Sequence, residues 1–458
     1  MEPDEPTRQA WTAATTAFVE EFLAGLEEAP ASNHDSGIPA RLLAPPPDGP
    51  GELGDLLARF GDAAGRAFES AGPRFFAYFP AGGLYTAVLA EMLAYAVNRY
   101  TGVAGPAPAL VAMEHSVLRW LCDLFALPEG AGGLFTSGAS IATLAALHAA
   151  REDRLGGPDP RGTVYVTEHT HYCVAKAARV AGLTPEQLRT VPAGADLRMD
   201  VEAAAELIAR DRAAGRRPFM LVGTAGSTST GTVDRLDAQG ELARREGLWF
   251  HIDAAYGGAF QLTERGRREL TGISQADTLT LDPHKSMFLP YGTGVLLARD
   301  LGRLHAAHSA TGDYLQDIDR GVGPDFADLG PELTRSYRGL RLWLPLHLHG
   351  VAAFRAELDE KLDLAAHVHR TLSADPNLVV PHPLGLTVTV FRSPHGDAAT
   401  EALLARINGT RRVYLSSTRV SDQHTIRMCV LSIRSHRSHV DEALTVIQEA
   451  AKLTAATR

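Results

Sequence analysis

The sequence lacks the features that mark several large classes of protein. Only three cysteines occur in 458 residues, Cys122, Cys173 and Cys429, all far apart. No disulfide framework is expected, and a reducing compartment, the cytoplasm, suits the chain. No apolar run is long enough to span a bilayer, since the best, 87–97, is interrupted by Glu91. Basic blocks are absent and the net charge is −10, which argues against a nucleic-acid-binding surface. Met1-Glu2-Pro3-Asp4-Glu5 opens the chain without the basic and apolar regions of a secretion signal. No GxSxG elbow, Walker A loop or GxGxxG sequence follows a strand-like run, and no internal repeat is visible. The pairs His347/His349, His367/His369 and His436/His439 lack the cysteine or third spaced ligand of a zinc site, so no metal is expected.

What remains is a chain long enough for two or three domains. Residues 7–26 read as a helix with Trp11, Phe18 and Phe22 on one stripe. A Pro/Gly-rich arm, 29–54, follows and cannot bury itself, so the stripe needs a partner surface on this subunit or another. From 78 to 343 short apolar runs alternate with Ala-rich helical segments, the pattern of βα units on a largely parallel sheet. A long helical stretch, 344–372, leads to strand-like runs at 386–391, 413–415 and 425–432 and a closing helix at 440–453. The expected division is an N-terminal helix and arm (1–75), a large α/β domain (76–345) and a small C-terminal α/β domain (346–458).

Chemically useful groups gather at the ends of the strand-like runs. In open α/β sheets, ligands bind beyond the carboxyl ends of the strands. Gly133-Leu134-Phe135 runs into Thr136-Ser137-Gly138-Ala139-Ser140 and then an Ala-rich helix, a place where backbone N–H groups can meet an anion. The run 163–166 leads to His169 and His171, and the run 219–222 leads to Gly226-Ser227-Thr228. The run 248–252 ends at Asp253, and 278–281 ends just before Asp282-Pro283-His284-Lys285. A lysine and an aspartate at separate strand ends suit pyridoxal phosphate, which needs an amine for its aldehyde and a carboxylate for its ring nitrogen.

These motifs have the order of a known family. Phe75-Phe76-Ala77-Tyr78-Phe79-Pro80, Thr136-Ser137-Gly138-Ala139-Ser140, His171, Gly226-Ser227-Thr228, His251-Ile252-Asp253-Ala254-Ala255-Tyr256, Asp282-Pro283-His284-Lys285 and Arg338-Gly339-Leu340-Arg341-Leu342-Trp343 carry the match. Together they resemble the group II pyridoxal-phosphate-dependent decarboxylases, the family of aromatic-L-amino-acid and glutamate decarboxylases. The resemblance spans nearly the whole chain. It implies a fold-type I, aspartate-aminotransferase-like α/β architecture and a homodimer with active sites at the subunit interface. It also implies roles: Lys285 forms the internal aldimine with the cofactor, and Asp253 pairs with the ring nitrogen. His171 stacks on the ring near the substrate carboxylate, and Thr228 binds nearby. Gly138, Ala139 and Ser140 hold the phosphate, and His284 borders it. The implied reaction is decarboxylation of an L-amino acid to an amine.

The sequence departs from the family in two places. Ile141 stands where a glutamate commonly follows the serine of the phosphate loop. Phe326 stands where aromatic amino-acid decarboxylases carry a mobile-loop tyrosine, the proton donor to Cα. Phenylalanine cannot donate a proton, so either Tyr314, His171 or water does so, or decarboxylation ends in an aldehyde. Another fold-type I lyase or transaminase outcome is a further alternative, and a non-catalytic scaffold is disfavoured by the presence of Lys285, Asp253 and His171. Tyr78, Phe79 and Tyr100 are candidate walls of the substrate pocket. Arg99 reads better as a solvated helix-end charge than as a carboxylate ligand.

Overall fold

A computed structural model describes residues 1–33, 37–310 and 323–456. The sequence-level candidate Tyr314 lies outside the described residues. Among the described residues ten strands form two sheets. The larger contains β1 (Gly132–Thr136), β2 (Gly162–Thr167), β3 (Leu188–Val191), β4 (Arg217–Thr224), β5 (Trp249–Asp253), β6 (Thr278–Leu281) and β7 (Gly294–Ala298). Their spatial order is β1-β7-β6-β5-β4-β2-β3. All neighbouring pairs are parallel except those of β7, which runs antiparallel to β1 and β6. β8 (Val388–Phe391), β9 (Ser416–Val420) and β10 (Gln423–Cys429) form a small antiparallel sheet in the order β8-β10-β9.

The large sheet is a buried layer. β1, β2, β5, β6 and β7 are buried along their full length, as strands covered on both faces must be. Helix Ala139–Leu155 lies against it through Ala142, Ala145, Ala146, Leu147, Ala149 and Ala150. Small side chains let that helix approach closely. A second apolar cluster joins the later part of helix Val351–Ser373, the small sheet and helix Arg437–Ala456. Phe354 and Leu358, near the start of helix Val351–Ser373, belong to the first cluster, and Leu364, Val368 and Leu372 to the second. That helix therefore joins the two cores.

Several sequence expectations shift. The stretch read as one helix from 344 is two helices, Leu340–His349 and Val351–Ser373, because Gly350 takes φ +75° between them. Residues 413–415 are not a sheet strand: Val413 and Leu415 fill the second core, while Tyr414 forms an isolated bridge to Phe75 and stacks on its ring at 5.6 Å. β3 and β7 were not anticipated. The first helix, Glu5–Gly25, buries no residue and meets helix Leu53–Ala64 through Phe18 and Phe60, 5.8 Å apart. Among the described residues no helix is long and apolar enough to cross a membrane.

Candidate active site

The ends of β1, β2, β4, β5 and β6 open onto one cavity of about 640 Å³. Because β7 runs the other way, it contributes its first residue to the same edge. Gly294 there meets the loop after β1 so closely that a Cβ would stand 2.5 Å from the Gly138 Cα. Any side chain would displace that loop. A similar limit holds after β4: Gly226 takes φ +99°, and a Cβ would lie 2.7 Å from the Tyr256 ring.

Lys285 sits on the short helical turn Pro283–Ser286 that follows β6. Its Nζ lies 3.0 Å from Asp282 Oδ2 and 5.3 Å from the centroid of the Phe79 ring. Asp282 Oδ1 accepts the Ala139 N–H at 2.7 Å. One buried carboxylate thus ties the lysine turn to the loop after β1. Sequence reading quoted Asp282 within the lysine motif but gave it no part. An acid three residues before a lysine was the available signal.

Asp253 ends β5, almost buried. Its Oδ1 accepts the Ala255 N–H at 3.1 Å and the Thr280 hydroxyl at 3.3 Å. These bonds fix the carboxylate at the cavity wall. Behind it, Thr278 Oγ1 accepts the Trp249 indole N–H at 2.8 Å and meets His251 Nδ1 at 2.9 Å.

His171 caps helix Tyr172–Val180, with Nδ1 accepting the Cys173 N–H at 3.3 Å. That bond leaves the ring hydrogen on Nε2, and burial lowers the imidazole pKa, so His171 is a neutral Nε2–H donor. His284 Nδ1 donates to the Thr293 carbonyl at 2.7 Å, and burial lowers its pKa too.

Burial also lowers the pKa of His251, which lies behind Asp253 and not in the cavity wall. Unfolded histidine titrates near 6.5. Below that value the unfolded chain binds more protons than the folded one, so folding stability falls as pH falls. The contribution is complete above the unfolded value and is lost as pH drops through the lowered folded ones. Melting temperature measured from pH 7.5 to 5 is expected to decline below about pH 6.5, and His251→Asn to flatten that slope.

The structure gathers Lys285, Asp253, His171, His284, Gly138, Ala139, Ser140, Thr228, Tyr78 and Phe79 around the cavity, with Ser137, Tyr172 and Asp282 added. The anion cradle differs from expectation in detail: the Ala139 N–H is engaged by Asp282, and the Gly138 N–H by Thr136 Oγ1 at 3.3 Å. Ser137 and Ser140 are the exposed positions of that loop. Tyr100 and Phe326 are not among the residues lining the cavity of their own chain. Phe326 is fully buried beneath the Arg335 guanidinium, 4.4 Å from its ring centroid. Asp325 accepts the Ala104 N–H at 2.9 Å, and the Tyr100 hydroxyl donates to the Leu333 carbonyl at 3.2 Å. The segments around Tyr100 and Phe326 are therefore tied to each other. Arg427, which touches the backs of Tyr78, Phe79 and Thr228, was not anticipated.

An amine, a fixed carboxylate, a neutral imidazole and small loop residues free of Cβ atoms fit pyridoxal phosphate. Comparison with known proteins agrees. Residues 67–393 match the pyridoxal-dependent decarboxylase conserved domain. An aromatic-L-amino-acid decarboxylase of Bacillus atrophaeus is 33% identical over 373 residues, covering 79% of this chain and 78% of that protein. A phenylacetaldehyde synthase of Arabidopsis thaliana is 30% identical over 404 residues, covering 83% and 82%. A solved Oryza sativa TDC with PLP and tryptamine superposes with a TM-score of 0.93 at 26% identity over 99% of both chains. The α/β architecture, with its mostly parallel sheet and smaller C-terminal part, is theirs as well. The chain thus belongs to the pyridoxal-dependent decarboxylases, carboxy-lyases that work with pyridoxal phosphate.

Proposed function

We propose that the protein decarboxylates an L-amino acid to the corresponding amine, with Lys285, Asp253 and His171 as its central residues. The convergence of these three side chains on one cavity carries this reading. When bound, pyridoxal phosphate supplies the sink for the electrons released on loss of carbon dioxide. Lys285 Nζ would hold the cofactor through its aldehyde, and Asp282, 3.0 Å away, keeps that amine at the cavity. Asp253 would hold the ring nitrogen, its fixed carboxylate favouring a proton there. His171, with its Nε2–H free to donate, would help to hold the cofactor ring and orient the substrate carboxylate. Ser137 and Ser140 bind the phosphate, with His284 at its border. Tyr78, Phe79 and Thr228 form the substrate side.

A second reading, release of an aldehyde, is favoured by Phe326, which has no hydroxyl to return a proton to Cα, and by the similarity to a phenylacetaldehyde synthase. Incubating the holoenzyme with a panel of L-amino acids and assaying carbon dioxide, amine, aldehyde, ammonia and peroxide separates the two. Amine in step with carbon dioxide supports the first, and aldehyde with peroxide the second. Phe326→Tyr is expected to move any aldehyde product towards amine, and an unchanged ratio removes Phe326 from the reaction.

We further propose a homodimer whose partner completes each site. Tyr100 and Phe326 can then serve a cavity in the other subunit. Supporting this, Val88, Leu89, Met92, Leu93 and Tyr95 leave an apolar face exposed on helix Tyr85–Val97, beside Trp11. Light scattering should give about twice 49.0 kDa. A fully active species at the monomer mass would contradict it.

A further inference from the structure

A buried cation stands behind the substrate side of the cavity. Arg427, on β10 of the small sheet, is 3% exposed, and no carboxylate pairs with it among the described residues. Burying an unpaired charge is costly. Here the charge is met in part by other means, the second terminal nitrogen having no hydrogen-bond partner among the described residues. Nε donates to the Thr228 carbonyl at 2.7 Å, and a terminal nitrogen donates to the Tyr78 carbonyl. The guanidinium carbon lies 4.6 Å from the centroid of the Phe79 ring. That ring stacks on Tyr256 at 4.2 Å and has Lys285 Nζ 5.3 Å from its centroid.

The three groups that its guanidinium meets here, Thr228, Tyr78 and Phe79, belong to the cavity wall. Tyr78 needs such a hold. It takes φ +53°, a left-handed conformation that costs energy for a residue with a Cβ. A planar fork can bind two carbonyls and stack on a ring at once, which an ammonium cannot do.

We propose that Arg427 is a positioning residue for decarboxylation: from the small sheet it fixes Tyr78, Phe79 and Thr228 in register with Lys285. It acts through these residues and does not itself touch the reacting atoms. The inference rests on the decarboxylase reading. A parent enzyme that releases no carbon dioxide fails that reading, whereas an active parent with indifferent variants fails only this one.

The test is Arg427→Lys in the holoenzyme, with kcat normalised to bound cofactor. Misplaced walls should lower kcat per cofactor by about 10- to 100-fold, with KM changed less than about threefold. Combining it with Phe79→Leu should add less than the product of the single effects, because the two side chains act as one contact. Arg427→Gln, neutral and near in size, replaces the lysine variant if that one does not fold. A lowered melting temperature with unchanged kcat per cofactor overturns the proposal, as does a rise in KM alone, which would mark a direct ligand. Failure of both variants to yield cofactor-binding protein also overturns it, since the role would be folding.

Discussion

Lys285→Ala is expected to remove the visible absorption of the bound cofactor and to lower turnover by at least about 10³-fold. Alanine can neither hold the cofactor aldehyde nor carry a proton once substrate has taken its place. The fold should survive, because Lys285 makes one ion pair, with Asp282, and its Nζ stands over the Phe79 ring without filling core space. Asp282 remains fixed by the Ala139 N–H. Circular dichroism and melting temperature should therefore stay close to the parent while colour and turnover vanish. Added small amines should restore part of the rate, since only the amine is missing.

Asp253→Ala is expected to be nearly as severe, about 10²- to 10³-fold in kcat per bound cofactor. It removes the carboxylate proposed to hold the ring nitrogen, and with it the support for a proton there that would make the ring an electron sink. Asp253→Glu should recover part of the rate, because it restores charge but not position. Position matters here: Ala255 and Thr280 fix the native carboxylate from two sides. A kcat per cofactor within threefold of the parent for the alanine variant would remove Asp253 from its proposed role.

The sequence revealed the site more readily than the fold around it. Lys285, Asp253 and His171 each follow an apolar run, and strand ends on a parallel sheet share one edge, so linear order was enough to bring them together. β7 was missed for a physical reason. Its residues, Gly294–Ala298, are all buried and apolar, so they show no alternation, and direction leaves no trace in composition. β3, Leu188-Arg189-Thr190-Val191, is a largely unburied edge strand with two polar residues at its centre, so no apolar run marks it. The break at Gly350 was hidden because the apolar positions on both sides still suit helices.

Contacts between distant parts of the chain were the other blind spot. Arg427 reaches Thr228 and Tyr78 across 199 and 349 positions, and nothing local marks it as different from a surface arginine of an edge strand. Phe326 and Tyr100 show the opposite case. Counting back from Trp343 placed Phe326 at the site and the resemblance made Tyr100 a candidate pocket wall, while in their own chain both are packed away from it. The proposed homodimer would reconcile those positions with a role at the cofactor.

The chain contains four lysines, Lys176, Lys285, Lys361 and Lys452, which makes a direct chemical test of the central claim simple to read. Reducing the holoenzyme with borohydride and mapping the peptides by mass spectrometry should find the pyridoxyl group on Lys285 alone. A modified Lys176, Lys361 or Lys452 with Lys285 untouched, or no covalent adduct at all, would contradict the account.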